Sequence, residues 1–458
     1  MERLSPLDLG MLWPDDFGWP EDIGVLAVLD GNRTAGRFPL DLAREVVGKR
    51  LPLVRRMRQV LRVPRFGLGP PYWTDASTVD LEYHVRAAEV PAPGDDEQLL
   101  GAVERIRSRG LDRSRPLWEM WFLTGLAGGR TGLFVRLHHT IADGIAAVAL
   151  LGAFFDPGPE VRALAAPWPE PEPEPTAPRL LADNTRRRWQ EVRRGVSVLA
   201  HLPETASALR RAWPAVRELL AEGRAPRSSL NTPIGPGRRF ALVRGDLPLA
   251  KRIAAAHGAK VNDVLMAAMS GGLRELLRAR GEPVDALVLR AYVPVSLHQE
   301  PPDRLRGNFD GMMLVPLPLG VADPVRRLAM IAAETTERKK HQRSAGGGAL
   351  FRVSAVQRAV MRRMRRQRWA NVYAANVPGP PEPLHFAGAC VLEMFPIVPL
   401  IGNVTLGLGA LSYAGQLAIA VVGDADACPD VEVFARGAGH ALDALAASGG
   451  RDFGPADR

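Results

Sequence analysis

Two rhythms of apolar residues run along the chain and predict most of its elements. In Gly132-Leu133-Phe134-Val135-Arg136-Leu137-His138-His139, every second residue from Leu133 is aliphatic, which predicts a short strand over 132–138. Similar runs predict strands over 239–243, 286–293, 311–317, 389–395, 403–412 and 416–422. Apolar residues at helical spacing predict helices over 145–155 and 261–279. Between 182 and 223, Trp189, Val192, Val196, Leu199, Leu209, Trp213, Val216, Leu219 and Leu220 recur among arginines, predicting one or two crossover helices with a basic outer face. The order of strands and helices is irregular and has no fixed repeat. It predicts an α/β (α+β) chain of two sandwiches with mixed sheets, not a doubly wound nucleotide fold.

Two breaks divide this pattern. Residues Pro167-Trp168-Pro169-Glu170-Pro171-Glu172-Pro173-Glu174-Pro175-Thr176-Ala177-Pro178 predict an extended, solvated connector. Asn231-Thr232-Pro233-Ile234-Gly235-Pro236-Gly237 is turn-rich and precedes a strand. The expected organisation is a first lobe over 1–160, a linker with basic helices over 161–235, and a second lobe over 236–458. A chain of 458 residues is long enough for two well-buried cores.

Composition narrows the class. Hydrophobic residues make up 46% and charged residues 24%, and no run approaches the roughly 20 apolar residues of a membrane span. The start, Met1-Glu2-Arg3-Leu4-Ser5-Pro6-Leu7-Asp8, does not read as a secretory signal. Cys390 and Cys428 are the only cysteines, too few for a disulfide framework or structural zinc, and they fit packing roles in a reducing compartment. A cytoplasmic protein is expected. The net charge of +9 comes almost wholly from arginine, since Lys49, Lys251, Lys260, Lys339 and Lys340 are the only lysines. Arginines cluster at 186–188 and 362–368, where they suit phospholipid headgroups, the phosphates of coenzyme A or nucleic acid, or form a solvated helix face. No zinc-finger or aromatic RNA-binding signature accompanies them, so nucleic acid is not an expected partner.

The chemistry concentrates in His138-His139-Thr140-Ile141-Ala142-Asp143-Gly144. Strand alternation puts His139 on the parity of Leu133, Val135 and Leu137 and His138 on the other, so the imidazoles point apart. That argues against a shared metal, and no third ligand lies at a familiar spacing. A histidine at a strand end beside a tight turn can accept a proton at physiological pH. Asp143 opens the following helix, as an N-cap, in a functional role, or both. Ala268-Met269-Ser270-Gly271-Gly272 imitates a nucleophile elbow, but Ser270 lies inside a helical run with no strand before it.

The motif resembles that of the HHxxxDG acyltransferases, the superfamily of chloramphenicol acetyltransferase, carnitine acyltransferases and condensation domains. Further segments narrow the resemblance to the bacterial wax ester synthase/diacylglycerol acyltransferase family. They are Leu4-Ser5-Pro6-Leu7-Asp8, Pro116-Leu117-Trp118-Glu119-Met120-Trp121, Val261-Asn262-Asp263-Val264, Arg290-Ala291-Tyr292-Val293-Pro294-Val295-Ser296, Gly307-Asn308, and Asn376-Val377-Pro378-Gly379-Pro380 leading to Ser412-Tyr413. Asp16-Phe17-Gly18-Trp19 imitates a plant acyltransferase motif at the wrong end of the chain and is read as chance.

The resemblance implies two chloramphenicol acetyltransferase-like lobes with a tunnel at their interface. His139 would be the general base, with His138, Asp143 and Asn262 as further catalytic-site residues. Asp143 would hold the histidine turn through a salt bridge, with Arg290 as the expected partner and Gly144 as support. Asn262 would orient the acceptor or polarise the carbonyl, its alternative being a helix N-cap. Trp118, Trp121, Asn308, Ser412 and Tyr413 are expected along the tunnel, with core packing the alternative for Trp118, Trp121 and Tyr413. Acyl-CoA enters as a substrate and no cofactor is expected. The main acceptor would be diacylglycerol, with long-chain alcohols accepted in vitro, met at an anionic membrane or lipid-droplet surface by peripheral association with the inner membrane or droplets. The alternatives are another hydroxyl or amine acceptor, or a non-catalytic lipid-surface protein.

Overall fold

The computed structural model describes residues 2–31, 38–65, 67–164, 166–200, 223–296, 310–344 and 361–449. Gly307 and Asn308 fall outside these residues, as does the second part of the crossover region, 201–222. Two six-stranded sheets carry the fold. The first runs in the order His385–Phe386, Ala389–Ile397, Asp22–Leu29, Thr131–His138, Trp118–Thr124, Val85–Glu89. It is antiparallel except for the last pair. The second runs Asp310–Pro318, Val288–Ser296, Val372–Pro378, Leu406–Tyr413, Gln416–Asp424, Arg238–Asp246, with Val372–Pro378 parallel to both neighbours. Both sheets are mixed, as the irregular element order predicts.

The linear division into lobes needs one correction. Residues 385–397 fall within the expected second lobe, yet Ala389–Ile397 pairs with Asp22–Leu29 and completes the first sheet. The second half of the chain therefore reaches into the first. Its strand Leu406–Tyr413 does so too, because Leu411 and Tyr413 are buried among first-lobe residues such as Leu133, Val135, Phe386 and Ile141. The Tyr413 hydroxyl donates to the Val391 carbonyl at 2.9 Å and accepts from the Leu384 amide at 2.8 Å. It pins the crossing strand, and core packing is its role.

Alternation is read on both faces of the second sheet. Leu417, Ile419 and Val421 meet that lobe's own helices, Leu247–Ala256, Val261–Ala279 and Val431–Gly449. Ala418, Ala420 and Val422 face the seam and share a core with Trp19, Leu26, Phe134 and the helix Asp96–Arg107. The lobes are thus joined by an apolar core, which Arg244 laces at the rim by pairing with Asp96 and Glu393. The connector is not simply solvated. Trp168 packs on the first-lobe core, and Glu172 and Glu174 pair with Arg55 and Arg62.

Charges are also buried at the seam. Arg107 donates to the Asp22 carbonyl at 2.9 Å and to the Val398 carbonyl at 3.2 Å, joining the two halves. Arg136 pairs with Glu119 at 2.9 Å and lies 3.7 Å from Asp22. Glu21, only 1% exposed, sits among these groups, and one of its carboxyl oxygens meets no hydrogen-bond partner among the described residues. Burial drives its pKa well above the ordinary glutamate value, reinforced by Asp15 and Asp22 and only partly opposed by Arg107 and Arg238. At pH below the ordinary value the group is protonated in both folded and unfolded chains. As pH rises the unfolded chain releases the proton first, so stability is lost progressively up to the raised folded value and the loss persists above it. Glu21→Gln is therefore expected to leave Tm unchanged near about pH 4 and to raise it at neutral pH. Calorimetry at the two pH values checks this, and a lower Tm at neutral pH would contradict it.

Candidate active site

The strand Thr131–His138 owes its rigidity to its central position. Asp22–Leu29 pairs with it on one side and Trp118–Thr124 on the other, and all eight of its residues are buried. Leu133, Val135 and Leu137 enter one core, while Phe134 enters the core at the seam. Arg136 and His138 share the parity of Phe134. At the strand end the His138 carbonyl accepts from the Ile141 amide at 2.8 Å, closing a tight turn.

The two histidines have different surroundings. His138 is 3% exposed, and both ring nitrogens are committed to the scaffold. Its Nδ1 faces the Thr140 amide at 3.2 Å and the Thr140 hydroxyl at 2.8 Å, and its Nε2 faces Asp15 Oδ2 at 3.1 Å. The backbone amide can only donate, so Nδ1 is an acceptor and Nε2 carries the proton. His139 lies one residue beyond the strand and is half-buried. Its amide donates to the Glu21 carbonyl at 2.7 Å, which holds the backbone of the turn.

Asp143 is the N-cap of the helix Gly144–Gly152. It is 1% exposed and accepts from the Ala146 amide at 2.9 Å. Gly144 meets the other half of the chain, since a Cβ there would lie 3.1 Å from Val377 Cγ2. The histidine motif and the Asn376-Val377-Pro378-Gly379 segment therefore abut at the seam. Ser412 lies beside that segment, where its carbonyl accepts from the Gly379 amide at 2.9 Å.

Arg290 is elsewhere. Its guanidinium donates to the Gly223 carbonyl at 3.0 Å, and its backbone brackets Asn371. Asn371 lies six residues before Val377 along an extended segment, a separation of about 20 Å at strand rise. The expected pairing of Arg290 with Asp143 is corrected by this register.

Asn262 occupies the second position of the helix Val261–Ala279, after the N-cap residue Lys260. The capping carboxylate is that of Asp263. It accepts from the Lys260 amide at 2.8 Å and from the Thr335 hydroxyl at 2.7 Å, tying two helices together. Asn262 is thus not the cap. The far end of this helix contacts Leu319, just past the strand Asp310–Pro318, through Arg274.

Trp118 is core. It is fully buried, stacks on His84 at 4.4 Å, and donates through Nε1 to the Met57 carbonyl. Trp121 donates to Glu119 at 2.9 Å and lies under Arg86. A cavity of about 270 Å³ opens against His138 and Asp15, bounded by Asp22, Arg113 and Leu117. None of Trp118, Trp121, Ser412 and Tyr413 lines it. No group of three or more His, Cys, Asp or Glu among the described residues is arranged to hold a metal ion.

The residues that sequence reasoning missed are Asp15, Glu21 and Thr140. Asp16-Phe17-Gly18-Trp19, read as chance, directly follows Asp15, whose carboxylate meets His138 at the histidine turn.

Comparison with known proteins gives the chain its place. The family description "Wax ester synthase/diacylglycerol acyltransferase catalytic domain" matches residues 4–265, and "WS/DGAT C-terminal domain" matches residues 306–446. A Mycobacterium tuberculosis protein described as "Probable diacyglycerol O-acyltransferase tgs1" is 31% identical, covering 98% of this chain and 96% of that one. Among solved structures, a wax ester synthase/diacylglycerol acyltransferase from Marinobacter aquaeolei VT8 is 24% identical with a TM-score of 0.69, covering 98% of this chain and all of that one. A mutant starter condensation domain of rhizomide synthetase, solved with C8-CoA and Leu-SNAC, is similar in fold with a TM-score of 0.61 at 14% identity, over 98% of this chain and 94% of that one. On the family match and the full-length relative, the chain belongs to the wax ester synthase/diacylglycerol acyltransferase family.

Proposed function

We propose that this chain transfers a fatty acyl group from acyl-CoA to the hydroxyl of diacylglycerol or of a long-chain alcohol, with His139 as general base. The family and the full-length relative supply the reaction class. The observation that carries the residue assignment is the division of labour in the histidine pair: His138 spends both ring nitrogens on the scaffold, while the half-buried His139 stands in the turn that abuts the second lobe. In this reading His139 takes the proton of the acceptor hydroxyl as its oxygen attacks the thioester carbonyl. The carbon–sulfur bond breaks and the proton passes to the sulfur of CoA. Asp143, through its cap, holds the turn at the start of the following helix, and Asn262, in the first turn of the helix Val261–Ala279, is a candidate for orienting the acceptor. The enzyme is expected to need acyl-CoA and no cofactor.

A peripheral encounter with an anionic membrane or lipid-droplet surface, on the cytoplasmic side, belongs to this proposal. Its support is the helix Ala177–Ala200, where Leu181, Trp189 and Val192 are 52%, 65% and 57% exposed on one side, flanked by Arg186, Arg188 and Arg193. No helix among the described residues is long and apolar enough to cross a membrane. The second arginine cluster is partly committed elsewhere, since Arg365 donates to the Phe17 carbonyl and Arg368 to the Ala225 carbonyl.

Two outcomes are expected. With palmitoyl-CoA, wild-type protein should release free CoA only when diacylglycerol or a long-chain alcohol is present. His139→Ala should abolish release without unfolding, and His138→Ala should retain part of it; wild-type turnover by His139→Ala would refute the base. A protein with no acceptor-dependent release would instead be a lipid-surface protein. Binding to vesicles should favour anionic lipid and weaken as salt rises, because charge is screened over about 8 Å at physiological ionic strength. Flotation insensitive to salt would overturn the electrostatic reading.

A further inference from the structure

Asp15 is the last but one residue of the helix Pro6–Asp16, remote in sequence from the histidine pair, and it bonds to both histidines' supports at once. Its Oδ2 accepts from His138 Nε2 at 3.1 Å and from Arg113 Nη2 at 2.8 Å. Its Oδ1 accepts from the Glu21 amide at 3.0 Å, and the carbonyl of Glu21 accepts from the His139 amide at 2.7 Å. One carboxylate thus holds the ring of the first histidine directly and the backbone of the second through one intervening residue, Glu21.

The segment that follows is itself braced. The Gly18 amide donates to the Asp15 carbonyl at 3.0 Å with Gly18 at φ +79°, a left-handed conformation that favours glycine. Trp19 is buried in the seam, and Arg365 from the other half of the chain bonds the Phe17 carbonyl and lies over the Trp19 ring. Burial alone would raise the Asp15 pKa; the hydrogen bonds it accepts from His138, Arg113 and the Glu21 amide outweigh it and leave the pKa lowered.

We propose that Asp15 is the positioning residue of this active site: it fixes the tautomer of His138 and the path of residues 138–140, and thereby the placement of the His139 ring. The inference rests on the reading of His139 as general base. The carboxylate accepts at both oxygens, and His138 must donate from Nε2 so that Nδ1 can accept from Thr140. Asparagine can accept at only one of the two positions. If its amide nitrogen faces His138, the imidazole must move its proton to Nδ1, where it opposes the Thr140 amide. If the nitrogen faces Glu21, two donors meet and the support of His139 is lost. Either arrangement disturbs the turn while preserving side-chain size.

The test joins one measurement on the unaltered enzyme with one on variants. Nitrogen-15 histidine NMR of the wild-type protein, assigned with His138→Gln, is expected to show His138 protonated at Nε2 and unprotonated at Nδ1; protonation at Nδ1 overturns the proposal, even if the variants prove unstable. In steady-state assays, Asp15→Asn should lower kcat by roughly 10- to 100-fold, the order expected for a misplaced catalytic group, with KM for palmitoyl-CoA little changed. In a His138→Ala background the same substitution should cost far less. Wild-type kcat in folded Asp15→Asn, or an undiminished loss in the His138→Ala background, overturns it. An active His139→Ala enzyme would refute the base assignment instead, so the two failures are distinguishable.

Discussion

The pairing on which the rest depends is that between Ala389–Ile397, from the second half of the chain, and Asp22–Leu29, from the first. Without it Asp22–Leu29 would be a sheet edge with unsatisfied backbone groups, and the histidine strand would lie one place from solvent. With it, the strand carrying His138 is interior, flanked by two fully paired neighbours. Asp22 is held opposite His138 in register, so the preceding residue, Glu21, can receive the His139 amide. The same crossing brings Tyr413 and Leu411 into the first core and presents Val377 to Gly144. The candidate active site is therefore a product of chain exchange between lobes, not of either lobe alone.

Buried charge serves the same geometry. Glu119, Arg136, Asp22 and Arg107 form a connected set behind the histidine strand, and all four are at most 7% exposed. Removing one member of such a set leaves a charge without compensation, typically costing about 3 to 5 kcal/mol. What the set contributes beyond stability is direction, since Arg107 ties Asp22 to Val398 across the seam while Asp15 reaches the histidine ring from the adjoining helix.

Local features were legible in the sequence for local reasons. Alternation placed the strand over 132–138 and set the two imidazoles on opposite parities, and the helix after Asp143 starts where an aspartate before an apolar run predicts. The proline-rich stretch ends where the helix Ala177–Ala200 begins, with Pro178 in its first turn, a position proline tolerates. What sequence did not carry was long-range pairing. Nothing in residues 389–395 says which sheet they join, and Arg290 was matched to Asp143 by chemistry when register sets them far apart. Trp118 and Tyr413 are aromatic and motif-borne, yet their polar atoms bond backbone carbonyls deep in the core. Asp15 escaped notice because its partners are 6, 98 and 123 residues away, and only the folded chain brings them together.

With His139 proposed as a base held at the seam by this scaffold, the acyl group passes directly from CoA to the acceptor, with no covalent acyl-enzyme. Ser270, the nearest imitation of a nucleophile elbow, is fully buried inside the helix Val261–Ala279, and Cys428 is buried with its thiol pushed up to about 12 by its surroundings, burial foremost. The direct measurement is rapid mixing of enzyme with palmitoyl-CoA in the absence of acceptor, followed by intact-protein mass spectrometry and thiol titration. The account predicts an unmodified protein mass and no burst of CoA until diacylglycerol or alcohol is added. A stoichiometric burst with a protein heavier by one acyl group would contradict it.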